Sequence, residues 1–374
     1  MRKMMMNLSA DEAYVFSSGH CPLRLGSTQK PPTQSWIGQC IHLTWRREPH
    51  CFALLCKLNN KESQDALAEI ARWLKREKPG CKIAIEKWTE GAMPLEVDYV
   101  LEGESEYVEG RQQLSSATTG PNSRVAMSAI GVHVIICVGG DGTLLHASSL
   151  CENGPVPPVM SFNLGTLGFL MPFDIDSFQE EMQRLFNSQM HVTLRMRLKC
   201  RVRRRIQKSN GEDQEEEWEV SALNDLVVER GGRSMPCTLT CTCQGTVLVN
   251  LTADGVIVST PTGSTAYSLA AGGALVHPQV PALLLTPICP HILSSRPVVL
   301  PAASEIEIMV PLGSRSGAFA SFDGRRRTEL SPGDSILVSM SPHPLPSVCK
   351  VNETADWFNS LYECLGWADR GRKD

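Results

Sequence analysis

The chain has 374 residues, 42% of them apolar and 20% charged, and carries a formal net charge of −4 at pH 7. Such a length accommodates two domains and such a composition is that of an ordinary globular protein. The charge gives no electrostatic reason to expect nucleic acid or an acidic membrane surface, and no apolar run approaches the roughly 20 residues that cross a bilayer. "MRKMMMNLSADEAYVFSSGH" has no secretory apolar core, and Asp11 and Glu12 argue against a transit peptide, so a cytosolic protein is expected.

Residues 1–45, which include "GSTQKPPTQS", read as a flexible tail. "CFALLCKL" (51–58) reads as a buried strand, and "ESQDALAEIARWLKREK" (62–78) places Ala66, Leu67, Ile70, Ala71 and Leu74 on one helical face. Pro79-Gly80 ends that helix, "KIAIEKW" (82–88) alternates as a second strand, and 103–130 with "SSATTGPNSR" is polar and irregular, a loop. "VIICV" (134–138) and "VPPVMSFN" (156–163) supply further strands around a helix, which is the opening of a parallel βαβ sheet. From about 174 the pattern changes to one helix, "IDSFQEEMQRLF", followed by short alternating strands such as "PCTLTCTCQGTVLVNL" and "EIEIMVPL". Such spacing predicts a β-rich second domain. A last amphipathic piece, "ADWFNSLYECLGW" (355–367), carries Trp357, Phe358, Leu361 and Leu365 and is long enough to dock back onto an earlier domain. The expected division is therefore a tail at 1–45, an α/β domain at 46–173 completed by a helix within 348–374, and a β-rich domain at 174–347.

Fourteen cysteines raise a metal or disulfide question. No C-x-x-C pair occurs, and Cys237, Cys241 and Cys243 lack a partner pair at zinc spacing. Cys51, Cys56, Cys137 and Cys200 sit in apolar or alternating runs, where a free thiol behaves as a small hydrophobe, so reduced structural cysteines are expected. In "LRMRLKCRVRRR", Arg195, Arg197, Lys199, Arg201 and Arg203 alternate onto one strand face, and the acidic "EDQEEE" (212–217) follows a turn. This predicts a solvated hairpin with cross-strand ion pairs. A single-strand nucleic-acid surface would interleave aromatic residues, and there are none.

Two stretches carry chemistry. In "VIICVGGDGTLLHAS" (134–148), Gly139 and Gly140 let the backbone turn sharply and approach a ligand, and a helix starting near Thr143 makes the turn a phosphate site. In open α/β sheets ligands bind at the carboxyl ends of strands, where this turn lies. A lone carboxylate there, Asp141, suits a general base or a metal partner in phosphoryl transfer. A plain Asp-Gly turn explains the pentapeptide nearly as well. It is neither a P-loop nor a G-x-G-x-x-G fingerprint. In "ADGVIVSTPTGSTAYSLAAGGALVHP" (253–278), a strand runs into hydroxyls and a glycine. A helix capped by Ser264 or Thr265 would offer donors to a polyoxygenated ligand, with Ala266, Ala270 and Ala271 allowing close approach and Tyr267 a ring for stacking. A tightly packed small-residue core helix is the competing account.

"GGDGT", "NLGTLGFL", "ALNDLVVERG" and "DGVIVSTPTGSTAYSLAAGG" together resemble the NAD kinase (ATP-NAD kinase) family, from about residue 50 to the end. "GGDGT" alone is shared with diacylglycerol and sphingoid-base kinases, whereas "DGVIV" followed by "TPTGSTAY" is far more specific. "LTPICPHILSSRPVVLPA" (285–302) and "DWFNSLYECLGW" look most like the animal cytosolic members.

The resemblance implies an N-terminal Rossmann-like α/β domain followed by a β-rich, β-sandwich-like C-terminal domain, with NAD between them. It implies transfer of the γ-phosphoryl of ATP to the 2′-hydroxyl of the adenosine ribose of NAD. Mg2+, or another divalent cation, would come with ATP rather than on protein ligands. Asp141 matches the residue that activates the ribose hydroxyl, and Gly142 a neighbouring dinucleotide contact. Gly139, Gly140 and Thr143 complete that motif. Asn224 and Asp225 fall on a paired Asn-Glu, so Asp225 departs from the family by one methylene while keeping the charge. Asp254 matches a further NAD-binding carboxylate, Thr262, Thr265, Ala266 and Tyr267 the dinucleotide loop, and Phe169 an aromatic near the adenine. Asp323 in "SFDGRR" matches a position lining the site, although a turn aspartate explains it almost as well. Family members form dimers or tetramers, so a homo-oligomer is expected, with no nucleic-acid or membrane partner. Two other readings are a non-catalytic NAD(P)-binding regulator of the same fold, which Asp225 leaves open, and a lipid kinase, which the hydroxyls of 259–267 disfavour.

Overall fold

The computed structural model describes residues 14–18, 21–23, 41–86, 97–101 and 124–366, apart from the turn 208–212 and scattered single positions. The expected loop at 103–130, except for its last part, and most of the expected tail at 1–45 lie outside the described residues. Within that tail, however, residues 14–18, 21–23 and 41–45 are strands.

The chain begins with β1 (Tyr14–Ser18), β2 (Cys21–Leu23), β3 (Ile41–Trp45), β4 (Cys51–Cys56), α1 (Lys61–Glu77), β5 (Lys82–Glu86), β6 (Tyr99–Leu101) and β7 (Arg124–Val125). It continues through β8 (Val134–Gly139), α2 (Asp141–Leu150), β9 (Val159–Asn163), β10 (Phe173–Asp174), α3 (Phe178–Phe186) and β11 (Met190–Arg195). Twelve strands follow, from β12 (Leu198–Gln207) and β13 (Asp213–Ala222) to β23 (Ser335–Met340), and the chain ends in β24 (Leu345–Val348) and α5 (Glu353–Leu365).

Among the described residues two compact units result: one of 14–18, 21–23, 41–194 and 345–366, the other of 195–344. The division at 194/195, rather than near 174, has a packing cause. β10 adds to β9 in parallel, and Phe178, Met182 and Leu185 of α3 are buried. Phe186, closing α3, stacks on Trp73 of α1 with centroids 6.0 Å apart and planes at 10°.

The first unit is one mixed sheet in the order β2-β1-β3-β11-β24-β9-β8-β4-β5-β6-β7. The run β24-β9-β8-β4-β5-β6-β7 is parallel, while β1 to β3 and β11 pair antiparallel. Every residue of β4, β8 and β9 is buried, as expected of parallel strands covered on both faces. From β4 the chain moves outward through β5, β6 and β7, whereas from β8 it moves the other way to β9. The carboxyl ends of β4 and β8 are therefore the topological switch point, where open α/β sheets form their crevice.

The amphipathic reading of α5 needs correction. Its buried residues are Ser360 and Leu361, while Phe358 and Leu365 are exposed.

The second unit is a pair of six-stranded antiparallel sheets, one in the order β13, β12, β23, Ile306–Met309, Cys237–Cys243 and Thr246–Ala253, the other formed by the strands Val298–Pro301, Ala282–Ile288, Gly255–Ser259, Asp225–Glu229, Ala318–Phe322 and Arg325–Leu330. Leu198, Cys200 and Val202 from the first sheet and Leu226, Val228, Val256 and Val258 from the second share one apolar core. That is a sandwich, held by inward-facing alternate residues. The basic hairpin is as expected: β12 and β13 pair antiparallel with Lys199–Glu219 at 2.7 Å, Arg201–Glu217 at 2.9 Å and Arg203–Glu217 at 3.3 Å. Arg195, which ends β11, and Arg197 are the exceptions, because the strand breaks before Leu198. Arg197 turns inward. Its side chain is fully buried and Nε donates to the His343 carbonyl at 2.7 Å. The cysteines from Cys51 to Cys364 are free thiols, and burial raises several of them, Cys56 to about 12.

Candidate active site

In the first unit the site is built on the β8–α2 turn. Gly139 has φ +152°, and a Cβ there would lie 2.5 Å from Thr143 Oγ1 and 3.1 Å from Lys57 Cβ, so only glycine fits. Above Gly140 and Gly142 a Cβ would meet nothing within 4 Å, which leaves the turn open on its outer side. α2 starts at Asp141 with Gly140 as a cap that contributes no side chain. Lys57, leaving β4 at the switch point, donates its backbone N–H to the Val138 carbonyl at 3.1 Å and is exposed. Glycine backbone, a helix N-terminus and the start of a lysine side chain thus lie together at the carboxyl ends of β4 and β8.

Asp141 is gripped from a second loop. Its Oδ2 accepts the Phe169 N–H at 3.1 Å and its Oδ1 the Leu170 N–H at 3.0 Å. Gly168 makes the approach feasible: a Cβ there would sit 2.9 Å from the carboxyl carbon and overlap an oxygen. The loop is sewn to β9 by Asn163, whose Nδ2 donates to the carbonyls of Met171 (3.1 Å) and Phe173 (2.9 Å) while Oδ1 accepts from Gly165 N at 3.0 Å. Ser161 Oγ adds a bond to the Leu170 carbonyl at 2.9 Å. Phe169 is half-buried, and its backbone rather than its ring meets Asp141.

In the second unit, Asn224 and Asp225 stand at the start of a central strand. Asp323, in the left-handed region at φ +51°, accepts three backbone N–H groups, from Leu223 at 2.8 Å, Asn224 at 2.7 Å and Asp225 at 3.2 Å. Its carboxylate thus fixes the Asn224–Asp225 backbone. Asn224 Oδ1 is buried and has no hydrogen-bond partner among the described residues. A buried acceptor left open in this way calls for a donor from outside the fold. Asp225 is 5% exposed; burial, then the neighbouring Asp323 charge, pushes its carboxyl up to about 7.

The hydroxyl-rich loop also differs from expectation. Residues Thr262–Thr265 form a single 3-10 turn and Tyr267–Ala270 a four-residue helix capped by Ala266 without a side-chain bond, so neither Ser264 nor Thr265 caps a helix. Thr260 Oγ1 donates to the Leu223 carbonyl at 2.6 Å, Ser264 Oγ to that of Pro261 at 2.6 Å, and Thr265 Oγ1 to that of Thr262 at 3.2 Å. These hydroxyls satisfy carbonyls that the tight turn would otherwise strand, as buried backbone requires. What the loop presents outward is Tyr267, 41% exposed, with exposed Ala270 and half-buried Thr265 and Ala266. The tyrosine hydroxyl is raised by partial burial and by the charges of Glu229, Cys289, Asp254 and Asp225, which places it in an acidic setting. Asp254 is paired with Arg230 at 2.8 Å. Thr262 Oγ1 lies 3.5 Å from Arg195 Nη1.

The structure thus gathers Gly139, Gly140, Asp141, Gly142, Thr143 and Phe169 in the first unit, and Asn224, Asp225, Thr262, Thr265, Ala266, Tyr267 and Asp254 in the second. The sequence reading had passed over Lys57, Asn163, Gly168 and Arg230. "NLGTLGFL" carried a signal for Asn163 and Gly168, an Asn-x-Gly turn after a buried strand, whereas nothing marked Lys57 or Arg230.

A doubly wound sheet with a glycine turn and a gripped carboxylate at its switch point is a nucleotide-type α/β site, here followed by an antiparallel sandwich. Residues 52–190 match the ATP-NAD kinase N-terminal domain and residues 223–349 the ATP-NAD kinase C-terminal domain. The chain belongs to the ATP-NAD kinase family. It is 47% identical over 244 residues to "NAD kinase 2, chloroplastic" of Arabidopsis thaliana, spanning 64% of this chain and 24% of that protein. It is 40% identical over 327 residues to "Probable NAD kinase 1" of Oryza sativa subsp. japonica, spanning 87% of this chain and 58% of that protein. The crystal structure of yeast NADH kinase complexed with NADH superposes with a TM-score of 0.74 at 30% identity, covering 94% of this chain and 97% of that one.

Proposed function

We propose that this protein transfers the γ-phosphoryl group of ATP to the 2′-hydroxyl of the adenosine ribose of NAD, giving NADP and ADP. The observation that carries the reading is the Asp141 carboxylate, fixed by two backbone N–H groups at the sheet's switch point beside an open glycine turn. In this reading Asp141 takes the hydroxyl proton as the ribose oxygen attacks the γ-phosphorus and the bond to the bridging oxygen breaks. The α2 N-terminus and Lys57 face the phosphate charge. Asn224 Oδ1 accepts a hydrogen bond from the dinucleotide, Asp225 and Asp254 meet its hydroxyls, and Tyr267 with Ala266, Thr262 and Thr265 frames it.

A divalent cation would come with the ATP phosphates; among the described residues no group of three or more His, Cys, Asp or Glu could hold a metal ion. Among the described residues no helix is long and apolar enough to cross a membrane. The free cysteines fit a reducing compartment, and we place the protein in the cytosol as a homo-oligomer, dimer or tetramer, to be read by light scattering.

The test is an assay with ATP, Mg2+ and either NAD or NADH, reading formation of NADP or NADPH respectively in wild type and Asp141→Asn. Loss of a general base costs about 10²–10⁴-fold, so kcat should fall by at least ~100-fold in the variant with NAD binding kept. No NADP from the wild type, with NAD bound, would turn the reading to a non-catalytic NAD(P)-binding protein.

A further inference from the structure

The grip on Asp141 is itself supported by the end of the chain. After the second unit the chain returns as β24, whose Ser347 pairs in parallel with Val159 of β9, the strand that leads into the Asp141-binding loop. α5 follows, started by Asn352, whose Oδ1 accepts from Ala355 N at 2.9 Å, and by Asp356, which accepts from Lys350 N at 2.7 Å. Its docked face is small: Ser360 and Leu361 are buried, and the half-buried Cys364 lies one turn on, on the same face.

These two polar side chains reach consecutive carbonyls of the loop. Cys364 Sγ donates to the Leu167 carbonyl at 3.4 Å, an ordinary reach for sulfur, and Ser360 Oγ to the Gly168 carbonyl at 3.4 Å. The next two residues, Phe169 and Leu170, turn their N–H groups onto the two oxygens of Asp141. One short peptide segment is thus held on its carbonyl side by α5 and holds Asp141 on its amide side. No side chain intervenes, because Gly168 brings the backbone against the carboxylate.

We infer that Ser360 and Cys364 are positioning residues for phosphoryl transfer, setting the Asp141 carboxylate through the backbone of Leu167 to Leu170. The inference rests on the reading of Asp141 as the proton acceptor. It gives the last helix a part in the chemistry, where the sequence pattern suggested only an apolar strap. A carboxylate displaced by even an ångström loses much of its advantage. Apart from Phe169, the groups proposed to bind substrate lie outside that segment.

The experiment is steady-state kinetics on the full chain for wild type, Ser360→Ala/Cys364→Ala, Ser360→Ala/Cys364→Ser, Tyr362→Ser and Asp141→Asn, each with its thermal midpoint. Tyr362 is 53% exposed on the same helix and serves as the control. The double alanine variant is expected to lose roughly 10-fold in kcat with KM for NAD and ATP within about twofold. Serine at 364 restores a donor and should recover most of that loss, and Tyr362→Ser should match wild type. An unchanged kcat in the double alanine variant overturns the inference, as does a loss that serine does not relieve. A fully active Asp141→Asn would instead overturn the functional reading itself, so the two failures are distinguishable.

Discussion

The two units use the same device to opposite ends. In each, an aspartate is gripped by backbone N–H groups: Asp141 by Phe169 and Leu170, Asp323 by Leu223, Asn224 and Asp225. Asp141 stands beside a glycine turn that is open on its outer side, so in the proposed reading the grip orients a reactive group. Around Asp323 the grip consumes the carboxylate and the exposed consequences fall on its neighbours, an orphaned Asn224 Oδ1 and an Asp225 pushed toward neutrality. Backbone N–H donors therefore mark a held carboxylate without saying whether it acts or supports. What lies on its other side decides.

The largest effect that would break this contrast comes from Gly168→Ala. The new methyl group cannot coexist with the Asp141 carboxylate, so either the loop or the aspartate must move. A drop of about 100-fold in kcat is expected, with a stability cost of about 1–3 kcal/mol from overpacking. Chemical denaturation run beside the assay checks both. Near-normal kcat would mean that the position of Asp141 is not critical, and that it resembles Asp323 more than its surroundings suggest.

Much of this was legible in the sequence and some was not, for identifiable reasons. The parallel core could be read because β4, β8 and β9 are covered on both faces, which leaves continuous apolar runs. The Arg-Glu hairpin could be read because period-2 charges of opposite sign pair across strands. Ser264 and Thr265 misled because a hydroxyl before a small-residue segment is the same letter whether it caps a helix, meets a ligand or satisfies a carbonyl of its own turn. Arg197 continued the alternation of its neighbours, yet the strand breaks beside it and it turns inward. Ser360 and Cys364 carry no periodic signal at all, since their partners are carbonyls nearly two hundred positions away.

A middle-sized effect sharpens the comparison from the second unit. Asp225 holds its proton up to about 7 in the fold, against an ordinary carboxyl value of 3.8. The folded state therefore binds that proton more tightly than the unfolded one. The stabilisation is complete below the ordinary value and is lost as pH rises through the folded value. Asp225→Asn should then be more stable than wild type by roughly 2–4 kcal/mol at pH 8, with the gap closing toward pH 4. Urea titrations at both ends of that range measure it. If the variant also loses NADP formation at pH 8, the residue is one whose charge is kept at a cost in stability, as functional groups often are.

The smallest effect runs the other way, in the first unit. His133 Nδ1 accepts backbone N–H groups from His50 and Cys51, both at 3.2 Å, where β4 begins. Burial, then the nearby His50 ring, lowers the imidazole to about 4 from 6.5. A proton on Nδ1 would remove the acceptor that both N–H groups use, so protonation is disfavoured in the fold. Stability from this group is full above the ordinary value and is lost as pH falls toward the folded one. The ring is half-exposed and solvent screens it, so a loss of only about 1 kcal/mol between pH 7 and 5 is expected. His133→Asn keeps an acceptor that does not titrate and should flatten that acid slope. Opposite slopes from Asp225 and His133 imply that the two units tolerate acid and base unequally. Identical slopes in both variants would show that neither site controls the pH response of its own unit.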